Sequence, residues 1–258
     1  MRYFVLIITL VISCTQYASA QPELNIVRGN KTYPPFEIYN PGQPLTGFHI
    51  ELVTAVAEKL GVKVSFDSVP WRRAVYMIST GQADAITYFG KTAEREHFAI
   101  FEPGNRISYS ANAFFVRKDE SESIKYDGNF NQLNGYTIGK VLGYSYGSKF
   151  DSYPWISVSD TAKDENRLLD MLLANHIDIG IGNKDRVAYF ASLSGIRQKI
   201  EFLTPTSDPI AQYIAFSKAS PNHKWAKPFA EAMLEFTQSK EYERLLDKYQ
   251  IEPQTSTD

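Results

Sequence analysis

One arginine in this chain has the surroundings of an anion-binding group. Arg95 lies three residues after Thr92, and a threonine at that distance can cap the helix that follows it. The guanidinium group offers a fixed fork of donors that matches a carboxylate with two hydrogen bonds, a geometry that lysine cannot copy. The positive end of a helix dipole also favours an anion at this place. The sequence therefore predicts that Arg95 binds a carboxylate, and a salt bridge to Glu94 or Glu96 is the alternative.

A second anion-binding candidate is the run Gly-Tyr-Ser-Tyr-Gly at residues 143–147. It is typical of a turn between a strand and a helix, where free backbone amides can hold an anion. The same run fits G-x-S-x-G, the nucleophile elbow of α/β hydrolases. That enzyme also needs an acid and then a histidine, and Asp170 or Asp178 followed by His223 satisfies the order. Because short patterns often match by chance, we favour anion binding over hydrolysis.

Two copies of one helix-turn-strand unit are expected to position these groups. They occupy residues 77–87 and 171–181, and in each an aspartate stands seven positions after a methionine. Gly81 and Asn175 fall where a helix would end in the left-handed conformation. The repetition predicts two α/β lobes of similar build with a ligand-binding cleft between them. Chance repetition of a common α/β unit is the alternative.

Hydrophobic patterns predict the strands that connect and build these lobes. In the first lobe, strands alternate with helices at residues 24–28, 62–68 and 84–88. That order indicates a largely parallel, doubly wound sheet. A strand at residues 113–117 leaves this lobe, and a strand at residues 212–217 returns to it. The chain is therefore expected to cross twice between the lobes.

The same patterns divide the chain into a leader and two lobes. Residues 1–20 have a positive start, an apolar run and an Ala-Ser-Ala cleavage site, which predicts a signal peptide and export to the periplasm. The apolar run is too short to span a bilayer. We expect lobe 1 at residues 21–111 and 209–251, lobe 2 at residues 112–208, and a C-terminal tail at residues 252–258.

Composition restricts the possible chemistry. Cys14 is the only cysteine and lies in the leader, so the mature chain is expected to lack disulfides, zinc–thiolate sites and cysteine nucleophiles. Residues 11–14 also resemble a lipobox, so a lipid anchor on Cys14 is the alternative to signal-peptide cleavage. The net charge of −2 argues against nucleic acid or an anionic membrane as a partner. The four histidines show no metal-ligand spacing, and each, including His49, is interpreted as a surface or turn residue. We predict no cofactor.

Six further runs occur in a recognisable order along the chain. They are TYPPFE at residues 32–37, GFHIEL at 47–52, GQADAI at 81–86, TAER at 92–95, LNGYTIG at 133–139, and residues 240–249. Each run is weak alone, but together the sequence resembles the extracytoplasmic solute-binding proteins of the polar amino-acid type, family 3. The resemblance implies an α/β, two-lobe periplasmic-binding-protein-like fold of type II. Two crossing hinge strands join the lobes, and the C-terminal segment completes the first.

The resemblance also implies which lobe 1 residues bind the ligand. Arg95 matches the arginine that grips the ligand's α-carboxylate, and Tyr33 and Trp71 match the two rings that sandwich the ligand. Flat rings offer a large apolar area at a small entropic cost. Tyr88 and Gly90 fall where family members often present small hydroxyl residues. Tyr88 is therefore expected to narrow the pocket or to donate its own hydroxyl group.

Lobe 2 contributes a loop and one departure from the family pattern. In the family, the hydroxyl and amides of the loop that matches Tyr144 and Ser145 help to bind the carboxylate. Asn183 stands where amino-acid binders usually carry an aspartate for the ligand's α-ammonium group. Asparagine can accept a hydrogen bond but supplies no charge. Either Asp185 compensates, or the ligand is an acid without a free ammonium group or a modified amino acid.

The favoured function is a non-catalytic receptor that captures a small carboxylate-bearing solute by hinge closure. We expect a monomer. By resemblance, its partner is the permease of an ABC-type importer, with a sensor kinase as the alternative. The second hypothesis is a cleft enzyme on the same scaffold, similar to some dehydratases, with Glu37 or Asp160 as its acid–base residue. A purely structural or adhesive role is the least favoured.

Overall fold

A computed structural model describes residues 21–40, 42–142, 146, 148–153 and 160–252. The predicted signal peptide, Cys14, the loop residues Tyr144 and Ser145, and the tail after residue 252 lie outside the described residues.

The described residues form eleven strands and eight α-helices. The strands are β1 (Glu23–Gly29), β2 (Lys63–Val69), β3 (Ala85–Gly90), β4 (Ala99–Ile100), β5 (Arg106–Ser110), β6 (Asn112–Arg117), β7 (Ile138–Val141), β8 (Asp160–Ala162), β9 (Ile179–Asn183), β10 (Ile200–Phe202) and β11 (Ile210–Ser217). The helices are α1 (Phe48–Lys59), α2 (Trp71–Thr80), α3 (Ala93–Glu96), α4 (Ser148–Asp151), α5 (Glu165–Leu173), α6 (Lys184–Leu193), α7 (Ala226–Phe236) and α8 (Lys240–Tyr249). Five 3₁₀ turns stand at Pro103–Asn105, Lys118–Glu120, Phe130–Leu133, Arg197–Lys199 and Pro221–Trp225.

These strands build two sheets, and both are mixed. The first has the order β2-β1-β3-β11-β4, with β5 also paired to β11, and the second has the order β10-β6-β9-β7-β8. β1 runs parallel to β2 and β3, and β7 runs parallel to β8 and β9. The expectation of a largely parallel first sheet is therefore wrong, because β11 returns antiparallel to β3, β4 and β5.

The chain crosses between the two sheets at two adjacent places. Only Ala111 separates β5 in the first sheet from β6 in the second. The second crossing lies between β10 and β11, and Ser207 in it donates its backbone N–H to the Asn112 carbonyl at 2.8 Å. Asn112 donates its own N–H to the Ser207 hydroxyl oxygen at 2.8 Å. Hydrogen bonds thus tie the two crossings side by side; the lobe limits given above stay a prediction.

The twin unit predicted from the sequence is present in both lobes. α2 ends at Gly81 with φ 75°, and Asn175 follows α5 with φ 59°, so both take the predicted left-handed conformation. The aspartate of each unit accepts a backbone N–H from a neighbouring segment at 2.8 Å, Asp84 from Asn25 and Asp178 from Thr137. The repeated aspartate therefore fastens the start of its strand to the adjacent one.

Removing this carboxylate should weaken the second lobe. We expect Asp178→Ala to lower the free energy of unfolding by about 2 kcal/mol, since a hydrogen bond to a charged group contributes about 1.5–3 kcal/mol. Urea unfolding followed by tryptophan fluorescence measures the change. Asp170→Ala, an exposed position on α5, is the matched control and should change it by no more than about 0.5 kcal/mol. Equal stability of both variants would contradict the fastening role.

Apolar side chains cover both faces of each sheet. Along β1, Leu24 and Ile26 join a core with α1, α7 and α8, whereas Val27 joins a core with α2 on the other face. This alternation follows from the two-residue period of a strand. The second sheet is likewise packed on two sides, around Phe114 and around Phe115. In both lobes, the parallel strands whose carboxyl ends face the site are therefore packed on both faces of the sheet.

Candidate functional site

An open cavity of about 410 Å³ lies at the carboxyl end of β3, beside the start of β11. Ligands of open α/β sheets characteristically bind outside the carboxyl ends of the strands. The cavity is lined by Trp71, Tyr88, Gly90, Lys91, Thr92, Arg95, Ile210 and Gln212. Four residues that the sequence analysis placed in lobe 1's ligand site, Trp71, Tyr88, Gly90 and Arg95, therefore share one cavity.

Arg95 is held in this cavity by its own lobe. The Thr92 hydroxyl accepts the Arg95 backbone N–H at 3.2 Å, as predicted for the cap of α3. Its Nη1 donates to the Gly90 carbonyl at 2.6 Å, and the guanidinium carbon lies 4.2 Å from the ring centre of Phe89. Partial burial lowers the pKa of Arg95. The side chain is thus oriented before any ligand arrives.

The salt-bridge alternative for Arg95 is not observed. Glu96 pairs with Lys91 at 2.8 Å instead. Among the described residues, no carboxylate pairs with Arg95, and Glu94 acts on it only as a nearby charge. A guanidinium group at a cavity wall without an acidic partner can accept a carboxylate from outside the chain.

Trp71 lines the same cavity as Arg95. It opens α2 directly after Pro70, at the strand-to-helix turn, and its ring centre lies 5.7 Å from that of Phe89 and 5.7 Å from the Arg95 guanidinium carbon. Phe89 is fully buried, but 41% of Trp71 is exposed. One part of the indole ring is therefore anchored while the rest remains open to the cavity.

Tyr88 has an unusual backbone. Its φ is 52°, a left-handed conformation that a bulky residue rarely adopts and that often marks a functional site. The pairing of β3 with β11 shifts its register here, between Tyr213 and Ala215, so the bulge accommodates the conformation. The Tyr88 ring lies 4.8 Å from that of Tyr33, and burial, followed by that neighbour, raises its pKa. Tyr88 lines the cavity, and whether it narrows the ligand pocket or donates its hydroxyl group stays a prediction.

Tyr33 lies beside the cavity rather than in its lining. Its ring contacts Tyr88 on one side. From the second lobe, the guanidinium carbon of Arg186 lies 4.2 Å from the centre of the same ring. The Tyr33 ring, which was expected to stack on the ligand, thus stacks on an arginine of the chain itself.

Sequence reasoning missed Arg186, which lies in the first turn of α6. Its Nε and Nη2 atoms donate to Glu165 Oε1 at 2.7 and 2.6 Å, and both side chains are buried. The spacing of Asn183 and Arg186 could have indicated it, because an asparagine caps a helix by accepting a backbone N–H from the third residue after it. Asn183 caps α6 in this way, accepting the Arg186 N–H at 3.0 Å, and so places Arg186 at the carboxyl end of β9. Asn183 also donates from Nδ2 to the Ser110 hydroxyl at 3.1 Å.

Asp185 does not join the cavity that holds Arg95. It lines another cavity, of about 280 Å³, between α6 and the end of α8, together with Lys184, Asp247 and Glu252. Burial raises the pKa of Asp185 to about 6. The suggestion that Asp185 compensates for the missing aspartate at position 183 therefore receives no geometric support.

A buried polar network lies behind Tyr88. Glu37 is 4% exposed; its Oε2 accepts from Arg28 Nε at 2.9 Å and its Oε1 accepts from the Thr87 hydroxyl at 2.5 Å. Burial alone would raise the pKa of Glu37, but His49, Arg28 and Thr87 outweigh it and lower the pKa. An acid that is enclosed and paired in this way is poorly placed to act on a substrate, and the side chain of Asp160 lies outside the described residues.

His49 belongs to the same network, so its interpretation as a surface or turn histidine is wrong. The side chain is fully buried, and its Nε2 lies 2.9 Å from the Ser108 hydroxyl on β5. Its Nδ1 lies 3.9 Å from Glu37 Oε1, beyond hydrogen-bonding distance. Burial lowers the pKa of His49. The burial of His49 could not be predicted from the sequence, because one histidine on an otherwise apolar helix face gives no sign of its partners.

Two candidates for the hydrolase triad, Asp178 and His223, have partners elsewhere in the fold. Asp178 accepts the Thr137 N–H before the start of β7, whereas the 143–147 run follows the end of that strand. His223 contacts the Ser220 carbonyl of its own 3₁₀ turn at 2.7 Å. In the described ranges, no cluster of His, Cys, Asp and Glu could hold a metal ion. None of the described helices has the length and apolar character to cross a bilayer.

Most of the chain is similar to known proteins. The sequence model of the bacterial extracellular solute-binding proteins, family 3, matches residues 26–252. The chain is 22% identical over 253 residues to the arginine-binding periplasmic protein of Mannheimia haemolytica, covering 94% of this chain and 97% of the relative. It is 24% identical over 196 residues to the L-cystine-binding protein TcyA of Bacillus subtilis strain 168, covering 73% and 68%.

Solved structures support the same fold. The substrate-binding protein of a polar amino acid ABC uptake transporter from Streptococcus thermophilus superposes with a TM-score of 0.72 at 17% identity. The match covers 88% of this chain and 85% of that one. At such identity the likeness establishes the fold alone, an α/β fold of two lobes.

Proposed function

The chain belongs to the bacterial extracellular solute-binding proteins, family 3, and from that premise we propose that it captures a small carboxylate-bearing solute, an amino acid or a relative of one. One observation carries the proposal: the Arg95 guanidinium lines a cavity beside Trp71 and, among the described residues, pairs with no carboxylate. The names of the relatives, which state arginine and cystine binding, support this class of ligand.

In the proposed complex, Arg95 grips the ligand's carboxylate through two parallel hydrogen bonds. Trp71 stacks on the body of the ligand, with Tyr33 as the second ring of the family pattern, and Tyr88 and Gly90 shape the wall next to the carboxylate. From lobe 2, the proposed contacts are Ser145, Tyr144 and Asn183.

Closure about the two crossings would then enclose the ligand. The hydrogen-bonded pair of Asn112 and Ser207 supports this proposal, because two short adjacent connections allow rotation with little sliding. To move the equilibrium from 1:99 to 99:1, the ligand must favour the closed form by about 5.5 kcal/mol. Because Arg95 and Trp71 both belong to lobe 1 and can hold the ligand in the open form as well, this difference must come from the proposed lobe 2 contacts, which form only on closure.

We further propose that the protein works in the periplasm after cleavage of its signal peptide, as a monomer, and delivers the solute to the permease of an ABC-type importer. The family consists of binding proteins, and the enclosed position of Glu37 supports binding without turnover. The proposed lobes are residues 21–111 with 209–251, and residues 112–208.

Native mass spectrometry of protein purified without refolding tests this proposal. We expect an adduct of a few hundred daltons or less that is lost on denaturation, and the released compound should contain a carboxylate. Protein that has been unfolded, washed free of ligand and refolded should bind the released compound again, which isothermal titration measures. A released compound without any acidic group, or turnover of the bound acid, would contradict the proposal.

A further inference from the structure

We propose that the ligand is a carboxylic acid that lacks an α-ammonium group and has a flat or apolar body. This inference rests on the proposed function, since it names the class of solute that the same cavity takes. It separates this chain from relatives whose names state amino acids.

The wall of the cavity offers one cation without an acidic partner. Lys91 and Arg95 both line the cavity, but Lys91 is paired with Glu96 at 2.8 Å, and among the described residues that line the cavity there is no aspartate or glutamate. Arg95 can neutralise a carboxylate. An ammonium group buried beside it would have no counter-charge, and burying an unpaired charge is unfavourable.

Glu94 near Arg95 is exposed and lies outside the cavity lining, and the buried acids near the cavity are already paired. Glu165, on the second lobe, holds both Nε and Nη2 of Arg186. Glu37, behind Tyr88, is paired with Arg28. Neither carboxylate is available to an ammonium group without breaking a buried ion pair.

By the family pattern, Asn183 stands where an amino-acid binder holds the ammonium group. Its side-chain oxygen caps α6 by accepting the Arg186 N–H at 3.0 Å, and the Arg186 guanidinium group lies over Tyr33. Asn183 supplies no negative charge, and the charge of Glu165 is already taken by Arg186, so an ammonium group at this place would have no carboxylate of its own to pair with.

The rest of the cavity wall indicates that the part of the ligand beyond its carboxylate is apolar. Trp71 and Ile210 are 41% and 60% exposed, although both are large apolar residues, and both line the cavity. With the ring of Tyr88, they offer apolar surface that a ligand would remove from water. The structure therefore assigns the carboxylate to Arg95 and the apolar body to Trp71 and Ile210.

Matched pairs of compounds test the inference by isothermal titration. Each pair is an amino acid and the same acid without its amino group: L-phenylalanine with 3-phenylpropionate, L-leucine with 4-methylpentanoate, and L-glutamate with glutarate. We expect at least one acid to bind tenfold or more tightly than its amino-acid partner. Tighter binding of the amino acid in every pair that binds, with binding lost in Arg95→Ala, overturns the inference and leaves the proposed function standing. Failure of every compound to bind overturns the assignment of a flat or apolar body, whereas the proposed function is decided by the compound released in native mass spectrometry.

A charge variant tests the same inference from the side of the protein. Asn183→Asp supplies the missing carboxylate, and aspartate caps helices as well as asparagine does, so the fold should be kept. The preference for the acid over its amino-acid partner should fall at least tenfold in this variant. Asn134→Asp, with the same charge change at an exposed position before β7, should leave the preference as it is. An unchanged preference in Asn183→Asp would overturn the assignment of this place to the ligand.

Discussion

Replacing Arg95 with alanine should reduce the affinity for the carboxylate ligand about 30-fold to several thousandfold. Truncating one partner of a buried, hydrogen-bonded charge pair costs about 2–5 kcal/mol, and about 1.4 kcal/mol corresponds to tenfold in affinity. The fold should survive, because the side chain makes one hydrogen bond within its lobe, to the Gly90 carbonyl, and stacks on Phe89. Titration calorimetry measures the affinity, and thermal unfolding of the ligand-free protein measures the fold.

Two further variants separate the guanidinium fork from its charge. Arg95→Lys keeps the positive charge but loses the two parallel donors, so it should recover only part of the affinity. Arg167→Ala removes an exposed arginine from α5 and is the control for the loss of one positive charge. Wild-type affinity in Arg95→Ala would place the carboxylate elsewhere in the cleft.

The sequence predicted the parts of this site that local rules govern. Thr92 as the cap of α3 and the left-handed ends at Gly81 and Asn175 are both present in the structure. Each depends on residues that are close in sequence, where backbone sterics and capping decide the outcome.

What could not be predicted depends on contacts between distant segments. The antiparallel return of β11, the stacking of Arg186 on Tyr33, and the burial of His49 against Ser108 join residues separated by dozens of positions. A charged or polar side chain in a sequence gives no sign of its partner across the fold. The assignment of the eight proposed binding residues to a ligand therefore stays a prediction, which the variants above test at Arg95 and Asn183.

The largest expected effect on stability comes from Glu37→Ala. The carboxylate pairs with Arg28, which is fully buried, so its removal leaves a buried guanidinium group without its charge partner. Breaking a buried ion pair in this way lowers the free energy of unfolding by about 3–5 kcal/mol. Denaturant unfolding measures the loss, and Glu37→Gln, which keeps the shape and one acceptor, serves if the alanine variant does not fold.

Two comparisons make the cause identifiable. Glu201→Ala removes a surface partner of Lys118 and should change stability by about 1 kcal/mol or less. The double variant Arg28→Met/Glu37→Leu removes both charges, so it should lose less stability than Glu37→Ala alone. A double variant that is less stable than the single one would show that Arg28 acts through its other bonds, to Ser68 and the Lys31 carbonyl.

The same network predicts how the protein responds to acid. Because the folded state lowers the pKa of Glu37 below its ordinary value of 4.5, this carboxylate stabilises the fold above that pH, and the stabilisation is lost as the pH falls through the lowered pKa. Burial also lowers the pKa of His49 below its ordinary value of 6.5, so folding loses further stability as the pH falls below 6.5. Unfolding free energies measured between pH 7 and pH 3 should fall steeply for the wild type. Below pH 4.5 the slope should be shallower for Glu37→Gln, which has no proton to take up at this position, and identical slopes would exclude Glu37 as a source of the acid sensitivity.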